Sequence, residues 1–328
     1  MDTEETWRGG QESLLTLARG LRARGYRQTI ACPRSSALAE RATADGFSLA
    51  KLGLRTADIV HAHSGRALTV AYWKTFGSTK VRRIVTRHVA FRPRNPWLHR
   101  MKYRWACHGI IAVSEAVRRG LIDSGIPGAK IEVIHTGIDM PRPAARDRKR
   151  FGLGDAEFVI GHMGAFTKEK GQDFAVDAAT MLRGSMPYAR FILAGEGALL
   201  NEIRRRAPAN VTFPGFVADH AAFFASLDLF IMPSLSEAWG LAALEAMAHG
   251  VPVIASDAGG LPEIVEAGNG GWLVPAGDPA ALARAITVAA SDPERLQAQG
   301  QKARDRARLF SVGRMVEQTE AFYRSFVK

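Results

Sequence analysis

Two glutamates, Glu237 and Glu245, lie eight positions apart around the start of a predicted helix. Residues 240–249 are rich in good helix formers, and Gly250 and Pro252 end the helix. The free N–H groups and the positive dipole end at the start of such a helix favour a bound phosphate. Carboxylates beside that phosphate accept hydrogen bonds from sugar hydroxyls, which fits a nucleotide-sugar ligand. On spacing alone, an ordinary amphipathic helix with two solvated glutamates is the simpler interpretation.

The longer string around these glutamates, SEAWGLAALEAMAHGVPVIAS at residues 236–256, resembles the signature of glycosyltransferase family 4. In that family a Glu, a variable residue, Phe and Gly precede a short helix that carries a second Glu and ends in Ala-Met-Ala-x-Gly-x-Pro-Val-Ile-Ala. Trp239 stands where Phe is usual, so an aromatic residue is kept. The resemblance runs over nearly the whole chain. It implies a retaining nucleotide-sugar transferase of GT-B fold, with two Rossmann-like domains and a cleft between them.

The composition is that of a two-domain globular protein. A length of 328 residues suits two domains, and an apolar fraction of 47% is enough for their cores. The two cysteines, Cys32 and Cys107, predict buried free thiols in a reducing compartment rather than a disulfide framework. The sequence has no cationic leader and no apolar run of the ~20 residues that a membrane helix needs. These features predict a cytoplasmic protein, with a peripheral position on the inner membrane face as a further option.

Basic residues are concentrated in the first half of the chain. Residues 1–150 carry 28 Lys and Arg against 12 Asp and Glu, a net charge of +16, whereas residues 151–328 carry 16 against 20, a net charge of −4. A basic half beside a mildly acidic half indicates that one domain faces an anionic partner. An anionic membrane surface bearing a lipid-linked acceptor and a nucleic acid are the two candidates.

Aromatic residues are interleaved with the densest group of basic residues. The basic residues are Arg82, Arg83, Arg87, Arg92, Arg94, Arg100, Lys102 and Arg104, and the aromatic residues are Trp97, Tyr103 and Trp105. Such mixtures suit a bilayer interface and also suit stacking on single-stranded nucleic acid. A solvated arginine-rich surface explains the pattern equally well. Because no nucleic-acid module is recognisable, the membrane ranks ahead of a specific nucleic acid as a partner.

Short apolar runs alternate with helical patterns, which predicts parallel sheets covered on both faces. Predicted strands in the first half span residues 28–32, 58–61, 84–88, 109–114 and 131–135, and those in the second half span 158–163, 191–194, 211–213, 229–232 and 253–255. The charged stretch 141–150 predicts a linker. The resulting domains are an acceptor-binding domain of residues 1–148 with a returning helix at 311–328, and a donor-binding domain of residues 149–310.

The first domain is predicted to lack its opening strand. Family members have a strand before the glycine-containing loop, but here the loop WRGGQES begins at Trp7 and only the polar MDTEET precedes it. A missing central strand exposes backbone hydrogen-bonding groups on its neighbours. We therefore expect an incomplete N-terminus.

Several site residues in the first half follow from the resemblance. Gly9 and Gly10 permit close backbone approach to a ligand at a helix start, although two glycines also form a simple turn. His88 follows a strand, where open α/β sheets bind ligands, and the family places a donor-sugar contact there. By itself His88 fits a surface or packed histidine. His61 and His63 also end a strand, but an HxH pair is not a metal site on its own.

The second half supplies the predicted donor site. Lys170 lies in a strand-to-helix loop, where a lysine neutralises a diphosphate leaving group as a point charge. Family members commonly have an arginine five positions earlier, where this chain has Ala165; Lys168 is a candidate substitute. The resemblance further assigns Phe216 and Val217 to the base.

The signature segment completes that site. It assigns the N–H groups of Gly240 and Leu241 to the diphosphate, Glu237 to the donor sugar and Glu245 to the ribose, with Trp239 as a neighbouring donor contact. We expect Gly259 and Gly260 to be structural.

The sequence thus predicts a retaining glycosyltransferase that moves a sugar from a nucleotide-sugar to a cell-surface glycan or lipid-linked acceptor. His88, Lys170 and Glu237 are its predicted catalytic residues. No Asp-x-Asp motif is present, which favours a metal-independent enzyme without a cofactor. A nucleotide-sugar epimerase of the same fold and an inactive nucleotide-sugar-binding protein are the alternatives, and a nucleic-acid binder ranks third.

Overall fold

The computed structural model describes residues 1–5, 7–50, 54–89, 96–142 and 144–327, without the side chains of residues 96, 98 and 99. The chain divides into a first unit, Met1–Gly137 with Phe310–Lys328, and a second unit, Ile138–Leu309. The boundary predicted from the sequence, after residue 148, lies further along the chain. Arg92, Arg94 and Pro143 lie outside the described residues.

Helices and strands alternate along both units. The helices are α1 (Gly9–Ala23), α2 (Ala37–Ala44), α3 (Gly65–Lys74), α4 (Pro96–Ala106), α5 (Glu115–Asp123), α6 (Gln172–Leu182), α7 (Leu200–Arg206), α8 (His220–Ala225), α9 (Leu241–Ala248), α10 (Leu261–Ile264), α11 (Pro279–Ala290), α12 (Pro293–Ala307) and α13 (Val312–Arg324). The strands are β1 (Thr29–Ile30), β2 (Ser48–Leu49), β3 (Ile59–Ala62), β4 (Arg82–Arg87), β5 (Gly109–Ala112), β6 (Ile131–Val133), β7 (Phe158–Met163), β8 (Ala189–Ala194), β9 (Val211–Gly215), β10 (Leu229–Met232), β11 (Val253–Ser256), β12 (Glu266–Ala267) and β13 (Gly270–Val274).

The first unit contains two parallel sheets. Strands β3, β4, β5 and β6 pair in sequential order, and β1 pairs with β2 separately. No strand is assigned to residues 1–5. The first two residues nevertheless bridge the two sheets, because the amide of Asp2 donates to the carbonyl of Ala31 at 2.9 Å and the amide of His63 donates to the carbonyl of Met1 at 2.9 Å. These bonds satisfy some of the backbone hydrogen-bonding groups that an opening strand satisfies in a Rossmann-like sheet.

The last helix belongs to the first unit, as predicted. Helix α13 packs on α1 through Leu17, Leu21, Met315 and Val316, all buried. The fit is close at Gly20, where an added Cβ would lie 2.3 Å from Cγ2 of Val316. This apolar seam covers one face of the first unit's core.

The second unit is built on one seven-stranded sheet in the order β12-β13-β11-β10-β7-β8-β9. The central strands β7, β10 and β11 are almost wholly buried, which explains their continuous apolar sequences. The ladders that link the central strands are parallel, so the loops after β7, β9, β10 and β11 emerge at the same edge of the sheet. That edge carries all the donor-site residues predicted in the second half.

Residues 144–150 of the predicted linker are part of the second unit. Arg148 is only 3% exposed, and its guanidinium donates to the carbonyls of Glu157 at 2.7 Å and Ser226 at 3.2 Å and pairs with Asp228. A buried arginine that satisfies several carbonyls fixes the chain to the fold. The charge and proline content of this stretch indicated a linker, so the burial of Arg148 was not predicted from the sequence.

Both cysteines are free thiols. Cys107 is buried, as predicted, whereas Cys32 is only partly covered. Among the described residues, none of the helices is long and apolar enough to cross a membrane.

Candidate functional site

The second unit's sheet has a topological switch point between β7 and β10. From β7 the chain continues outward through β8 and β9, and then returns to β10 on the other side of β7. Loops that follow neighbouring strands of this kind leave in opposite directions and open a crevice at the carboxyl ends of the strands. Open α/β sheets bind their ligands in this crevice.

Lys170 and Glu237 meet at this switch point. Lys170 ends a short 3₁₀ turn after β7, and Glu237 lies in the loop after β10. Lys170 Nζ lies 2.5 Å from Glu237 Oε2, with the two side chains 27% and 12% exposed. The structure therefore joins two of the predicted catalytic residues in one partly buried ion pair.

Glycines permit the close loop packing that holds this pair. Gly171 has φ +68°, and a Cβ there would lie 2.1 Å from the carbonyl oxygen of Pro233. Gly259 has φ +57°, and a Cβ there would lie 1.8 Å from the carbonyl oxygen of Glu237. The same carbonyl accepts a hydrogen bond from the amide of Gly260 at 2.9 Å. Side chains are strained at positive φ and would clash at these distances, so both positions require glycine.

Helix α9 begins beside the ion pair. Its N-cap, Gly240, has φ +98° and offers no side-chain cap to the helix. The predicted contacts Gly240 and Leu241 therefore lie where the first amides of a helix start. Trp239 is 4% exposed, so its ring packs into the protein.

Glu245 pairs with His220, which was not among the predicted site residues. Its Oε2 lies 2.9 Å from Nδ1 of His220, and the two side chains are 24% and 44% exposed. His220 opens α8, directly after the loop that holds Phe216 and Val217. Phe216 is 62% exposed and Val217 is partly exposed. One carboxylate oxygen of Glu245 is thus fixed by His220.

A buried polar network supports the loop after β7 from behind. His162 is fully buried, with Nδ1 3.0 Å from the carbonyl oxygen of Ile231 and Nε2 3.2 Å from Nε2 of Gln172. Burial lowers the pKa of His162 to about 4, so the ring is neutral near pH 7. Gln172 also donates to the carbonyl of Ala165 at 2.9 Å. Ala165 and Lys168 are themselves exposed.

In the first unit, the predicted residues at the start of α1 and the end of β4 come together. Gly9 opens α1, and a Cβ at Gly10 would lie 3.6 Å from the imidazole ring of His88. His88 Nε2 lies 3.3 Å from His63 Nδ1, and the two rings stack at 5.5 Å. Burial, followed by the charge of Arg87, lowers the pKa of His88 to about 4. His88 is therefore a neutral, ring-stacked histidine beside the glycines of the first loop.

His61 has a structural position next to this pair. Its Nδ1 lies 2.6 Å from the hydroxyl of Tyr323 and its Nε2 lies 2.7 Å from the hydroxyl of Thr86, so it ties α13 to β3 and β4. Burial holds the pKa values of His61 and His63 well below their usual range. Within the described part of the chain, no group of three His, Cys, Asp or Glu side chains is arranged to hold a metal ion.

Family models match both units. The model described as glycosyl transferases group 1 matches residues 157–292, which include the Lys170–Glu237 pair and Glu245. The model described as glycosyltransferase family 4 matches residues 41–142, which include His88. Both units are therefore similar to glycosyltransferases of group 1 and family 4.

Curated glycosyltransferases are similar to the chain over part of their length. The chain is 34% identical over 184 residues to the GDP-mannose-dependent alpha-(1-6)-phosphatidylinositol dimannoside mannosyltransferase of Mycobacterium tuberculosis, covering 53% of this chain and 47% of that protein. It is 31% identical over 224 residues to D-inositol 3-phosphate glycosyltransferase 1 of Catenulispora acidiphila, covering 62% and 54%. The chain thus spans about half the length of the curated relatives it matches.

Solved structures identify the fold as GT-B. The crystal structure of Anabaena HepE in complex with UDP has a TM-score of 0.87 at 23% identity, covering 99% of this chain and 98% of that one. Sucrose-phosphate synthase from Thermosynechococcus elongatus has a TM-score of 0.78 at 20% identity, covering 97% and 93%. At these identities the likeness supports the fold alone.

Proposed function

We propose that the chain is a retaining, metal-independent glycosyltransferase that uses a nucleotide-sugar donor. The observation that carries the proposal is the Lys170–Glu237 pair at the switch point of the second sheet, beside the start of α9. A cation, free helix amides and a carboxylate at one place match the two ends of the ligand: a diphosphate and a sugar with several hydroxyls.

The cationic part of the site binds the diphosphate. When the glycosidic bond breaks, negative charge grows on the leaving phosphate oxygen. Lys170 and the amides of Gly240 and Leu241 stabilise that charge, in place of the divalent cation that other transferases use. Glu237 positions the ammonium group of Lys170 for this role.

The carboxylates bind the parts of the donor that carry hydroxyl groups. Glu237 accepts hydrogen bonds from the sugar, and Glu245, oriented by His220, accepts them from the ribose. The exposed segment at Phe216 and Val217 provides backbone groups for the base. A negatively charged side chain repels phosphate. Charge therefore favours Lys170 beside the diphosphate and the two glutamates beside the hydroxyl groups.

Retention follows from attack on the face that the leaving group departs from. The acceptor oxygen forms a bond to the anomeric carbon as the bond from that carbon to the phosphate oxygen breaks. The acceptor proton passes to the leaving phosphate oxygen. No protein base is needed for this transfer.

We place the acceptor among cell-surface glycans and lipid-linked sugars. The basic first half of the chain favours an anionic acceptor or surface. A curated relative is named for a phosphatidylinositol dimannoside and for GDP-mannose, and a structural neighbour holds UDP. These names support a nucleoside-diphosphate sugar as donor and leave its base open.

One observation favours a second function, a nucleotide-sugar-binding protein without turnover. Ala165 stands where the family pattern has an arginine, and the nearby Lys168 points into solvent with an exposed side chain. The leaving group therefore has one cation fewer than the pattern supplies.

A panel of UDP-, GDP-, ADP- and TDP-sugars separates the two functions. Thermal stabilisation by one class identifies the donor. Incubation with that donor and candidate acceptors, followed by NMR of the product anomer, then tests transfer. A product with the donor's anomeric configuration supports the proposal, and an inverted product contradicts it. Stabilisation of the wild type but not of Glu237→Gln, without release of nucleotide in any acceptor mixture, favours the binding protein.

A further inference from the structure

Polar side chains from two elements of the first unit meet at the start of helix α3. A Cβ added to the first residue of that helix, Gly65, would lie 3.0 Å from Nη1 of Arg87, 3.3 Å from Oη of Tyr103 and 3.6 Å from Nζ of Lys102. Arg87 ends β4, whereas Lys102 and Tyr103 lie on α4. We call these four residues the Gly65 cluster. Because glycine has no side chain, the three polar groups can approach one point.

The two cations of the Gly65 cluster have no carboxylate partner in the described part of the chain. Lys102 Nζ donates to the carbonyl oxygen of Gly65 at 2.5 Å, which leaves further N–H donors on the ammonium group. Nε of Arg87 is inaccessible to solvent and has no hydrogen-bond partner among the described residues. Neither α3 nor α4 contains an acidic residue. Within those ranges, two partly buried positive charges are thus left without a counter-charge.

Positive potential from three sources adds together in the Gly65 cluster. The guanidinium of Arg87 and the ammonium group of Lys102 are both partly buried, and the start of α3 contributes the positive end of the helix dipole. Burial, followed by the charge of Arg87, lowers the pKa of Lys102. Holding like charges together in this way costs stability, so the arrangement indicates an anion that offsets them.

The donors of the Gly65 cluster suit a phosphate group. The guanidinium presents a planar fork of N–H groups, and the ammonium group acts as a point charge. The N-cap residue Ser64 accepts the amide of Ala67 at 3.1 Å, so the cap does not use the two earlier amides, those of Gly65 and Arg66. Amides at a helix start bind oxyanions. Donors that approach from three elements fit the tetrahedral oxygens of a phosphate better than the two coplanar oxygens of a carboxylate.

The Gly65 cluster adjoins the first unit's predicted ligand edge. His88 follows Arg87 directly in the chain, and its ring stacks at 5.5 Å on that of His63. Gly65 comes two positions after His63. Since His88 is a predicted contact of the transferred sugar, the acceptor hydroxyl that receives this sugar has to approach the same edge. The cluster is therefore placed to hold a group that lies close to that hydroxyl.

We propose that the Gly65 cluster binds a phosphate group of the acceptor, next to the hydroxyl that receives the sugar. The cluster thereby selects phosphorylated sugars over neutral ones as acceptors. This inference rests on the proposed transferase function and narrows its acceptor class. The same chemistry is offered by a sugar that ends in a phosphate and by a sugar joined to a lipid through a phosphodiester.

Inorganic phosphate is the first probe, with sodium chloride of equal ionic strength as its reference. Phosphate should raise the unfolding midpoint above the value in chloride. Because Lys170 of the donor site offers phosphate a second cation, the measurement is made in the Lys170→Ala variant. Adding Lys102→Met to that variant should weaken phosphate binding at least about tenfold, as the loss of a charged donor does. Stabilisation that is already absent in Lys170→Ala would assign the phosphate to the donor site and overturn the proposal.

Lys80→Met provides the charge-matched control. Lys80 is an exposed residue of the first unit, so its removal from the same background should leave the phosphate response unchanged. Equal losses in the Lys80→Met and Lys102→Met variants would reduce the effect to net charge and overturn the proposal.

Gly65→Ala tests the Gly65 cluster without changing any charge. The added Cβ would lie 3.0 Å from Nη1 of Arg87, so the polar groups have to shift and phosphate binding should weaken. Alanine is the better helix former, so thermal stability without phosphate should not fall. Gly120→Ala in α5 is the matched control, because a Cβ there meets no atom within 4 Å. An equal phosphate response in the two variants would contradict the proposal.

Sugar phosphates test the link to the acceptor. Hexose 1-phosphates and 6-phosphates, each compared with the parent hexose, should include one that stabilises Lys170→Ala more than inorganic phosphate does, because its hydroxyls add contacts. A response no larger than that to inorganic phosphate throughout would assign the cluster to a free anion and overturn the proposal. Methyl phosphodiesters of the same sugars separate the two sources. Binding of both esters supports a lipid-linked acceptor, and binding of the monoester alone supports a sugar that ends in phosphate.

The donor site gives an independent readout. Lys102→Met should keep the thermal stabilisation by the nucleotide-sugar, so loss of phosphate binding in this variant leaves the proposed function intact. With an acceptor in hand, phosphatase treatment of that acceptor should raise its KM at least about tenfold and leave kcat similar. An unchanged KM would overturn the proposal. Absence of transfer to any acceptor, with phosphate binding that depends on Lys102, would instead contradict the transferase function.

Discussion

At the scale of single residues, the site depends on a contact between two loops that are 67 positions apart in sequence. Lys170 and Glu237 neutralise each other in this ion pair. A bound diphosphate offers the ammonium group a second anion, and sugar hydroxyls offer the carboxylate new donors. The ion pair therefore holds both side chains in place at a lower cost than two unpaired, partly buried charges.

Lys170→Ala should slow transfer far more than it weakens donor binding. The lysine matters most when charge develops on the leaving phosphate, so its removal should lower kcat by about 10² to 10³, as the loss of one oxyanion donor does. Initial rates across donor concentrations give kcat and KM separately.

Lys168 provides the control for this prediction. It belongs to the same turn but its side chain is exposed, so Lys168→Ala should leave kcat within about twofold of the wild type. A large loss of kcat in Lys168→Ala would instead show that this lysine replaces the cation absent at Ala165. An unchanged kcat in Lys170→Ala would contradict the role given to Lys170.

Glu245→Ala should weaken donor binding without a comparable effect on kcat. Hydrogen bonds from the ribose to a charged oxygen are worth about 1.5–3 kcal/mol, which corresponds to a rise in Kd of about tenfold or more. Calorimetric titration with the donor measures the change. Glu202→Ala, at an exposed position on α7, serves as the control and should bind normally. A Kd unaffected by Glu245→Ala would contradict the proposed contact between Glu245 and the ribose.

At the scale of elements, the sequence predicted the buried strands best. The runs at 158–163 and 229–232 were predicted with the bounds that β7 and β10 have, because central parallel strands are apolar on both faces. Strand β13 was missed. Gly270 and Gly271 carry no side chain, so the run lacks the pattern of a strand, yet an added Cβ at Gly271 would lie 2.3 Å from the carbonyl oxygen of Val253.

The candidate site was predicted loop by loop but not as a set of contacts. Lys170, Glu237 and Glu245 were placed after the right strands because glycines and helix starts mark those loops. The His220–Glu245 pair was not foreseen, since a contact between two helices depends on strand order, which local sequence does not encode. His220 carries one signal in hindsight: it begins a helix directly after the predicted base-binding segment.

Gly259→Ala should disturb the site through the packing of its loop. The added Cβ would lie 1.8 Å from the carbonyl oxygen of Glu237, so the backbone must move and the carboxylate must move with it. We expect lower thermal stability together with a loss of transfer, measured by the midpoint of unfolding and by kcat.

Gly268→Ala is the matched control for Gly259→Ala. Gly268 also has positive φ, at +81°, but a Cβ there meets no atom within 4 Å. The strain of positive φ alone costs about 1–2 kcal/mol, and transfer should be unaffected. Equal effects of the two substitutions on transfer would mean that the Glu237 contact is unimportant.

At the scale of the whole molecule, four histidines divided between the two units are buried or partly buried in the neutral form. Burial lowers the pKa values of His61, His63, His88 and His162, the last two to about 4. Unfolded histidines titrate near 6.5. As the pH falls from 6.5 towards 4, the unfolded chain takes up protons that the folded chain does not. The free energy of unfolding should therefore be greatest above pH 6.5 and decrease steadily through this window.

His162 allows one part of that pH dependence to be measured separately. Its contacts are known, and it lies in the second unit, whereas the other three histidines lie in the first. With pKa values of about 4 when folded and about 6.5 when unfolded, it should cost about 2 kcal/mol of stability at pH 5 relative to pH 7. His162→Asn keeps a donor for the carbonyl of Ile231 and removes the titration. Urea unfolding at both pH values should show a variant that is less stable at pH 7 but loses about 2 kcal/mol less on acidification. An identical loss in the two proteins would mean that the His162 ring already accepts a proton in the folded state.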